Sequence, residues 1–286
     1  MADIRKIRGR IKGVENISRI TRAMEMIAAS KMRKAQERGL AGRPYSEKIE
    51  QVIADLAALP EMGLQHPLLQ WREAERITVI HITPDRGLCG GLNGNLNREL
   101  SRYVLNAPGK AVEVVTVGKK GRDFARRSGL NVVAEFTGIG DAPAYLDTLP
   151  ISNIAIEDYA GGRTDRVVVC YAHFVSTLTQ KPIMKQILPV EPAVIPGPSN
   201  VEYIYEPDAA TVLGTLLPRF VEMEVYHAIL EAIASEQSAR MVAMRNATDS
   251  AEELLGDLTL LYNKARQESI TTELLDITGG VTALEE

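Results

Sequence analysis

Residues 4–27 read IRKIRGRIKGVENISRITRAMEMI, with apolar side chains at Ile4, Ile7, Ile11, Val14, Ile17, Ile20, Met24 and Ile27. Steps of three and four residues trace one face of a helix, whereas a strand would alternate. Helical character continues past Ala35 and resumes through Ile49, Val52, Ile53 and Leu56, until Leu59-Pro60 stops it. Gly39, Gly42 and Pro44 should bend or loosen it on the way, since glycine weakens a helix and proline removes a ladder bond. Unbroken from 4 to 57, such a helix would be about 80 Å long at 1.5 Å per residue. No domain of this chain is that wide.

The far end of the chain repeats the pattern on a longer scale. Pro207-Asp208 suits a helix start, and only Gly214, Pro218, Gly256 and Gly279-Gly280 interrupt from there to Leu284. The clearest stripe is Leu254, Leu258, Leu261, Ala265 and then, after one skip, Ile270, Leu274, Ile277, Val281 and Leu284. Outside the skip, that spacing is a coiled-coil repeat. Helices of this length need a partner, because an exposed apolar stripe is costly at about 25 cal/mol per Å². Charge suggests which one. Residues 1–45 carry +8, residues 46–205 carry −2 and residues 206–286 carry −10. A basic first helix lying antiparallel against an acidic last one is the simplest pairing. The last helix outruns the first, so its tip projects alone or is gripped by another chain.

Between the two ends the pattern turns to α/β. RITVIHIT (76–83), AVEVVTVG (111–118) and NVVAEFTG (131–138) read as strands, with helices over 93–106, 119–128 and 142–159. DRVVVCYAHFV (165–175) and KPIMKQILPV (181–190) read as a hairpin. Strands alternating with helices predict a mostly parallel, Rossmann-like sheet. The expected organisation is therefore a discontinuous antiparallel coiled coil (1–59 and 207–286), a linker (60–75), a Rossmann-like α/β domain (76–190) and a proline-rich connector (191–206).

Composition narrows the function. The chain has 286 residues, 45% hydrophobic and only 5% aromatic, with Trp71 the single tryptophan, which suits burial of helix against helix. Cys89 and Cys170 cannot build a disulfide framework or a four-cysteine metal site. No apolar run is long enough to span a membrane. MADIRKIRGR lacks the apolar core of a secretory signal, which predicts a reducing compartment. His66, His81, His173 and His227 show no metal-ligand spacing, and no nucleophile signature is present.

The loop TPDRGLCGGLNGNL (83–96) follows a strand and opens a helix, where glycine-rich loops cradle phosphates. A nucleotide-dependent oxidoreductase using this loop is the alternative function. Against it, the spacing matches neither dinucleotide nor P-loop fingerprint, and the second strand ends at Gly118-Lys119 rather than in a ribose-binding acid. The basic first helix does not separate its charges from its apolar stripe as a DNA-binding zipper does.

Four stretches carry a family likeness. ITRAMEMIAASKMRKAQ (20–36) resembles the first helix of the ATP synthase gamma subunit family, and DRGLCGGLN (85–93) its mid-chain loop. SEQSARMVAMRNATDSAEEL (235–254) and LYNKARQESITTELLDITGG (261–280) resemble its last helix, in the family's order and across essentially the whole chain. The resemblance implies a non-catalytic central shaft without a cofactor. Its implied partners are three alpha and three beta subunits, the epsilon subunit and the ring of c subunits. It further implies peripheral attachment on the cytoplasmic side of a bacterial plasma membrane. No cysteine pair matches the regulatory insertion of photosynthetic members.

By position within those motifs, Met24, Lys31, Arg33, Lys34, Arg240, Gln267 and Thr271 are implied to meet the stator or to couple rotation to it. Tyr203 and Tyr205 are implied foot contacts to the c ring and epsilon. Asp85, Arg86, Gly87, Cys89, Gly90, Gly91 and Asn93 are implied to form a structural loop.

Overall fold

The computed structural model describes residues 2–57, 66–107, 111–191 and 205–285. The first long helix, α1, is one element from Ala2 to Ala57, and the last, α5, is one element from Ala209 to Glu285. Between them run β1 (Arg76–Ile82), α2 (Leu92–Asn106), β2 (Ala111–Val117), α3 (Lys119–Arg127), β3 (Asn131–Phe136), α4 (Tyr145–Ala160), β4 (Arg166–Phe174) and β5 (Gln180–Leu188). A single 3-10 turn, Pro67–Leu69, precedes β1.

The chain divides into two compact units. One joins Met1–Ala28 with Met241–Glu286, and the other is Ala29–Arg240. The sequence reading assigned both helices whole to the shaft. The physical reason for the different division is burial: Ile49, Ile53 and Leu56 of α1, and Leu213, Leu217, Val221, Val225 and Ile229 of α5, lie in the same apolar core as the sheet.

In the Ala29–Arg240 unit the strand order is β3-β2-β1-β4-β5, parallel except for β5, which runs antiparallel to β4 at the edge. Central β1 is buried along its length after Arg76. Its alternation feeds two cores. Ile80 and Ile82 face α1, α4 and α5, while Ile77 and Val79 face Leu92, Leu96 and Leu100 of α2. From Ala228 to Ser238 α5 is buried on nearly every side, as a helix must be when it is covered by both a sheet and another helix.

The expected loosening at Gly39, Gly42 and Pro44 does not end α1. Gly42 has a packing reason instead. A Cβ there would come 2.6 Å from the His227 ring of α5, so glycine lets the two helices approach. Ser46 Oγ lies 2.8 Å from His227 Nε2 beside it. At the start of α5, Asp208 Oδ1 accepts the Thr211 amide at 2.9 Å, a side-chain cap.

Candidate interaction surface

In the unit made of Met1–Ala28 and Met241–Glu286, three cross-helix contacts fix an antiparallel register. Thr21 Oγ1 and Thr248 Oγ1 are 2.7 Å apart, Arg245 Nε donates to Glu25 Oε1 at 2.9 Å, and Arg22 Nη1 lies 3.8 Å from Glu252 Oε1. The covered side of α1 is Ile4, Ile7, Ile11, Val14, Ser18, Thr21, Glu25 and Ala28, a strict three-four heptad alternation. The covered side of α5 is Met244, Thr248, Ala251, Leu255, Leu258, Tyr262, Ala265 and Ser269.

This corrects the stripes read from hydrophobicity. Ile4 to Val14 lie on the seam, but Ile17, Ile20 and Ile27 stand outside it, 53%, 58% and 55% exposed. Leu258 and Ala265 lie on the α5 seam, whereas Leu254 and Leu261 are exposed. Beyond Ser269 the stripe of Ile270, Leu274 and Ile277 is exposed as well. The apolar run of α1 leaves the seam because it takes three successive steps of three, from Ile11 through Val14 and Ile17 to Ile20, where the seam goes on alternating three and four, and small or polar residues take the seam where it leaves. Two large aliphatic surfaces therefore face outward from a helix pair whose own seam is filled. Exposed contiguous apolar surface of this kind marks an interaction site.

The implied coupling residues fall into both units. Met24 is half-buried beside the seam, and Gln267 and Thr271 are exposed, with Thr271 Oγ1 donating to the Gln267 carbonyl at 2.9 Å. Arg33 and Lys34 are exposed with no partner among the described residues. Lys31 is engaged within the Ala29–Arg240 unit: its Nζ lies 2.6 Å from Asp141 Oδ2, and Gln237 Nε2 donates to Asp141 Oδ1 at 2.7 Å. Arg240 is nearly buried in that unit, paired with Glu236 at 2.6 Å and donating to the Gly87 carbonyl at 3.3 Å. Tyr205 is partly buried against the core, and Tyr203 lies outside the described residues.

The 83–96 loop is held from within. Asp85 accepts the Lys119 amide on Oδ1 and the Gly138 amide on Oδ2, both at 2.9 Å. Its carboxylate thus ties the loop to the start of α3 and to the turn after β3, and sets a negative charge within the loop itself. Gly90 has φ +59° and Leu88 φ +63°, so two residues of the turn sit in the left-handed region. Gly91 precedes α2 with no side-chain cap, and Arg86 is exposed. Burial, and then the charge of Glu236, push the Cys89 thiol up, and Asn93 Nδ2 donates to its sulfur at 3.3 Å. Such a thiol is a packed group rather than a nucleophile. Burial likewise raises Glu236 against its partner Arg240.

Among the described residues no three His, Cys, Asp or Glu side chains stand where they could hold a metal ion, and no helix is long and apolar enough to cross a membrane. Residues that the apolar pattern of the sequence does not single out are Thr21, Glu25 and Thr248 on the seam, exposed Arg245 beside it, and Asp141, Glu236 and Gln237 around the loop. Counting sevens from Ile4 and from Ile7, instead of following apolar residues, finds Glu25 and Thr21 respectively. No sequence signal singles out Asp141.

Comparison with known proteins gives a consistent result. A family model described as ATP synthase matches residues 3–284. The chain is 63% identical over 285 residues to the ATP synthase gamma chain of Dehalococcoides mccartyi, covering 99% of this chain and 100% of that one. It is 49% identical over 296 residues to the ATP synthase gamma chain of Herpetosiphon aurantiacus, covering 100% of both. Its fold is similar to that of a chain in the Euglena gracilis mitochondrial ATP synthase (OSCP/F1/c-ring, rotational state 3), with a TM-score of 0.70 at 21% identity over 99% of this chain and 95% of that one. It is also similar to a chain of the Tetrahymena thermophila mitochondrial ATP synthase central stalk and c-ring, with a TM-score of 0.59 at 25% identity over 80% of this chain and 99% of that one.

Proposed function

The chain belongs to the ATP synthase gamma-chain family, and we propose that it is the central shaft coupling proton-driven rotation of a c ring to ATP synthesis and hydrolysis on beta subunits. One observation carries the reading. The helix pair of Met1–Ala28 and Met241–Glu286 fills its seam with small or polar residues at Ser18, Thr21, Glu25, Ala28, Thr248 and Ala251, and presents Ile17, Ile20, Ile27, Leu254, Leu261, Ile270, Leu274 and Ile277 outward. Aliphatic surface can turn against a sleeve of alpha and beta subunits without forming long-lived ionic contacts. Exposed Arg33 and Lys34 add electrostatic attraction to acidic loops of such a sleeve, each worth little by itself.

The shaft holds no catalytic group of its own on this reading. The oxidoreductase alternative is disfavoured by Asp85, whose carboxylate binds the Lys119 and Gly138 amides and sets a negative charge within the loop that would have to hold a phosphate. Epsilon and the c ring are the partners proposed for the foot, with Tyr203 and Tyr205 as contacts, and the site of action is the cytoplasmic face of a bacterial plasma membrane. Met24, Gln267 and Thr271 are proposed as stator contacts. Lys31 and Arg240 are proposed to act from within the Ala29–Arg240 unit, by holding the 137–141 and 85–93 loops.

The test is assembly. Mixing the chain with its alpha and beta subunits should give an ATPase of one copy to three and three, and removing residues 265–286 should lower its turnover. Absence of a stoichiometric complex, together with indifference to that truncation, would refute the shaft.

A further inference from the structure

The large aliphatics that fill the seam of an ordinary two-stranded coil stand outside this one on α1 from Ile17 onward. Over the stretch where Ser18, Thr21, Glu25 and Ala28 meet Met244, Thr248 and Ala251, small residues would pack about as well after a slip of one heptad. The charged neighbours would not. In the observed register Glu25 pairs with Arg245, and Arg22 stands opposite Glu252. Arg245 and Glu252 are one heptad apart on α5. A seven-residue slip in one direction sets Glu25 against Glu252, and the same slip in the other sets Arg22 against Arg245. Like charges meet either way.

Between these pairs Thr21 and Thr248 are only 9% and 5% exposed, and their hydroxyls are bonded at 2.7 Å. Each also lies within reach of a carbonyl of its own helix, Thr21 with Ile17 and Ser18, and Thr248 with Met244. The cross-helix bond exists only in register, since a heptad slip replaces Thr248 by Met241 or Leu255.

We propose that Thr21, Arg22 and Glu25 of α1, with Arg245, Thr248 and Glu252 of α5, form a register lock that aligns the two helices. These are positioning residues. Their importance for torque rests on the shaft reading above, but the alignment itself is a property of the chain alone.

The experiment is a distance measurement between spin labels in the full chain. Labels go on Glu15→Cys and Glu273→Cys, which are exposed and, in the register of Thr21 with Thr248, stand about 28 Å apart along the helix axis, so that an axial slip is read nearly in full, while the buried Cys89 and Cys170 stay unlabelled. The parent should give one narrow distance. Reversing α5 with R245E/E252R places Glu25 opposite an acid and Arg22 opposite a base, and should broaden the distribution or add a population displaced by about 10 Å, the length of seven helical residues. Adding R22E/E25R restores both pairs and should return the single distance. An unchanged narrow distance in R245E/E252R would show that the rest of the fold sets the register, and failure of the fourfold variant to recover it would show that the pairing is not responsible. Either result overturns the lock. No partner subunit is involved, so this outcome is independent of the assembly test.

Discussion

Lowering the pH should unlock the α/β unit from its centre, at His81. This residue sits on β1, fully buried, with Nε2 3.0 Å from Asn97 Oδ1 and with Nδ1 lacking any partner. Burial outweighs the Asn97 bond and drives its pKa down from 6.5 to about 4. A depressed folded-state value means that the unfolded chain binds the proton first. The stability is therefore intact above pH 6.5 and is lost as pH falls toward 4. With those two values the loss is about 2 kcal/mol at pH 5 and about 3 kcal/mol at pH 4. Urea denaturation of the parent and of His81→Gln, followed by far-UV circular dichroism from pH 7.5 to pH 4, isolates this contribution from other titrating groups. The stability difference between the two proteins should narrow or reverse as the pH falls. A difference that stays constant over the whole range would refute the account, because it would mean that His81 takes up no proton on unfolding.

Two further outcomes follow from the same unit. Arg240→Met strands Glu236 in a nearly buried position and should cost about 3 kcal/mol in chemical denaturation, and adding Glu236→Gln should recover much of that loss. If the single and double variants are equally unstable, the Gly87 contact rather than the ion pair is what matters. Gly121→Ala places a Cβ 2.7 Å from His81 Cδ2, 2.8 Å from Thr83 Oγ1 and 2.9 Å from Thr83 Cγ2. It should lower stability by about 1–3 kcal/mol, read as a fall in the thermal midpoint, and a neutral result would mean that α3 can move away from β1.

The α/β core was legible because its signals are local and redundant. Each strand from β1 to β4 is a run of β-branched residues bounded by Gly, Pro or polar turns, and each helix begins within a few residues of where the pattern changes. Alternation along β1 even separates the residues that enter the two cores. The division of the long helices was not legible, because an apolar residue at heptad spacing looks the same whether it meets another helix or a sheet. Ile49, Ile53 and Leu56 keep the heptad rhythm that begins at Ile4, yet they pack in the core of the α/β unit. Likewise Gly42 read as a helix breaker, and only the His227 ring beside it reveals a close-approach residue.

The seam was misread for a reason that bears on function. Hydrophobic residues are taken to point inward because a monomer gains most by burying them. A subunit made to be enclosed by others need not obey that rule, since its outward face is also an interior. In the first helix the rhythm of sevens and the rhythm of aliphatics agree up to Val14 and then part, with Ser18 and Thr21 keeping the first while Ile17, Ile20 and Ile27 keep the second. The two could stay together at no cost if helix pairing were the only demand on this stretch. On the shaft reading, their separation answers two demands on different sides of the helix: alignment, met by hydroxyls and coded charges, and contact with an enclosing partner, met by aliphatics. Where the rhythms agree, from Ile4 to Val14, the outward positions are instead basic, with Arg5, Arg8, Arg10 and Lys12 exposed. The aliphatic outer face of α1 thus begins at Ile17, which is where an enclosing surface on that helix should begin as well.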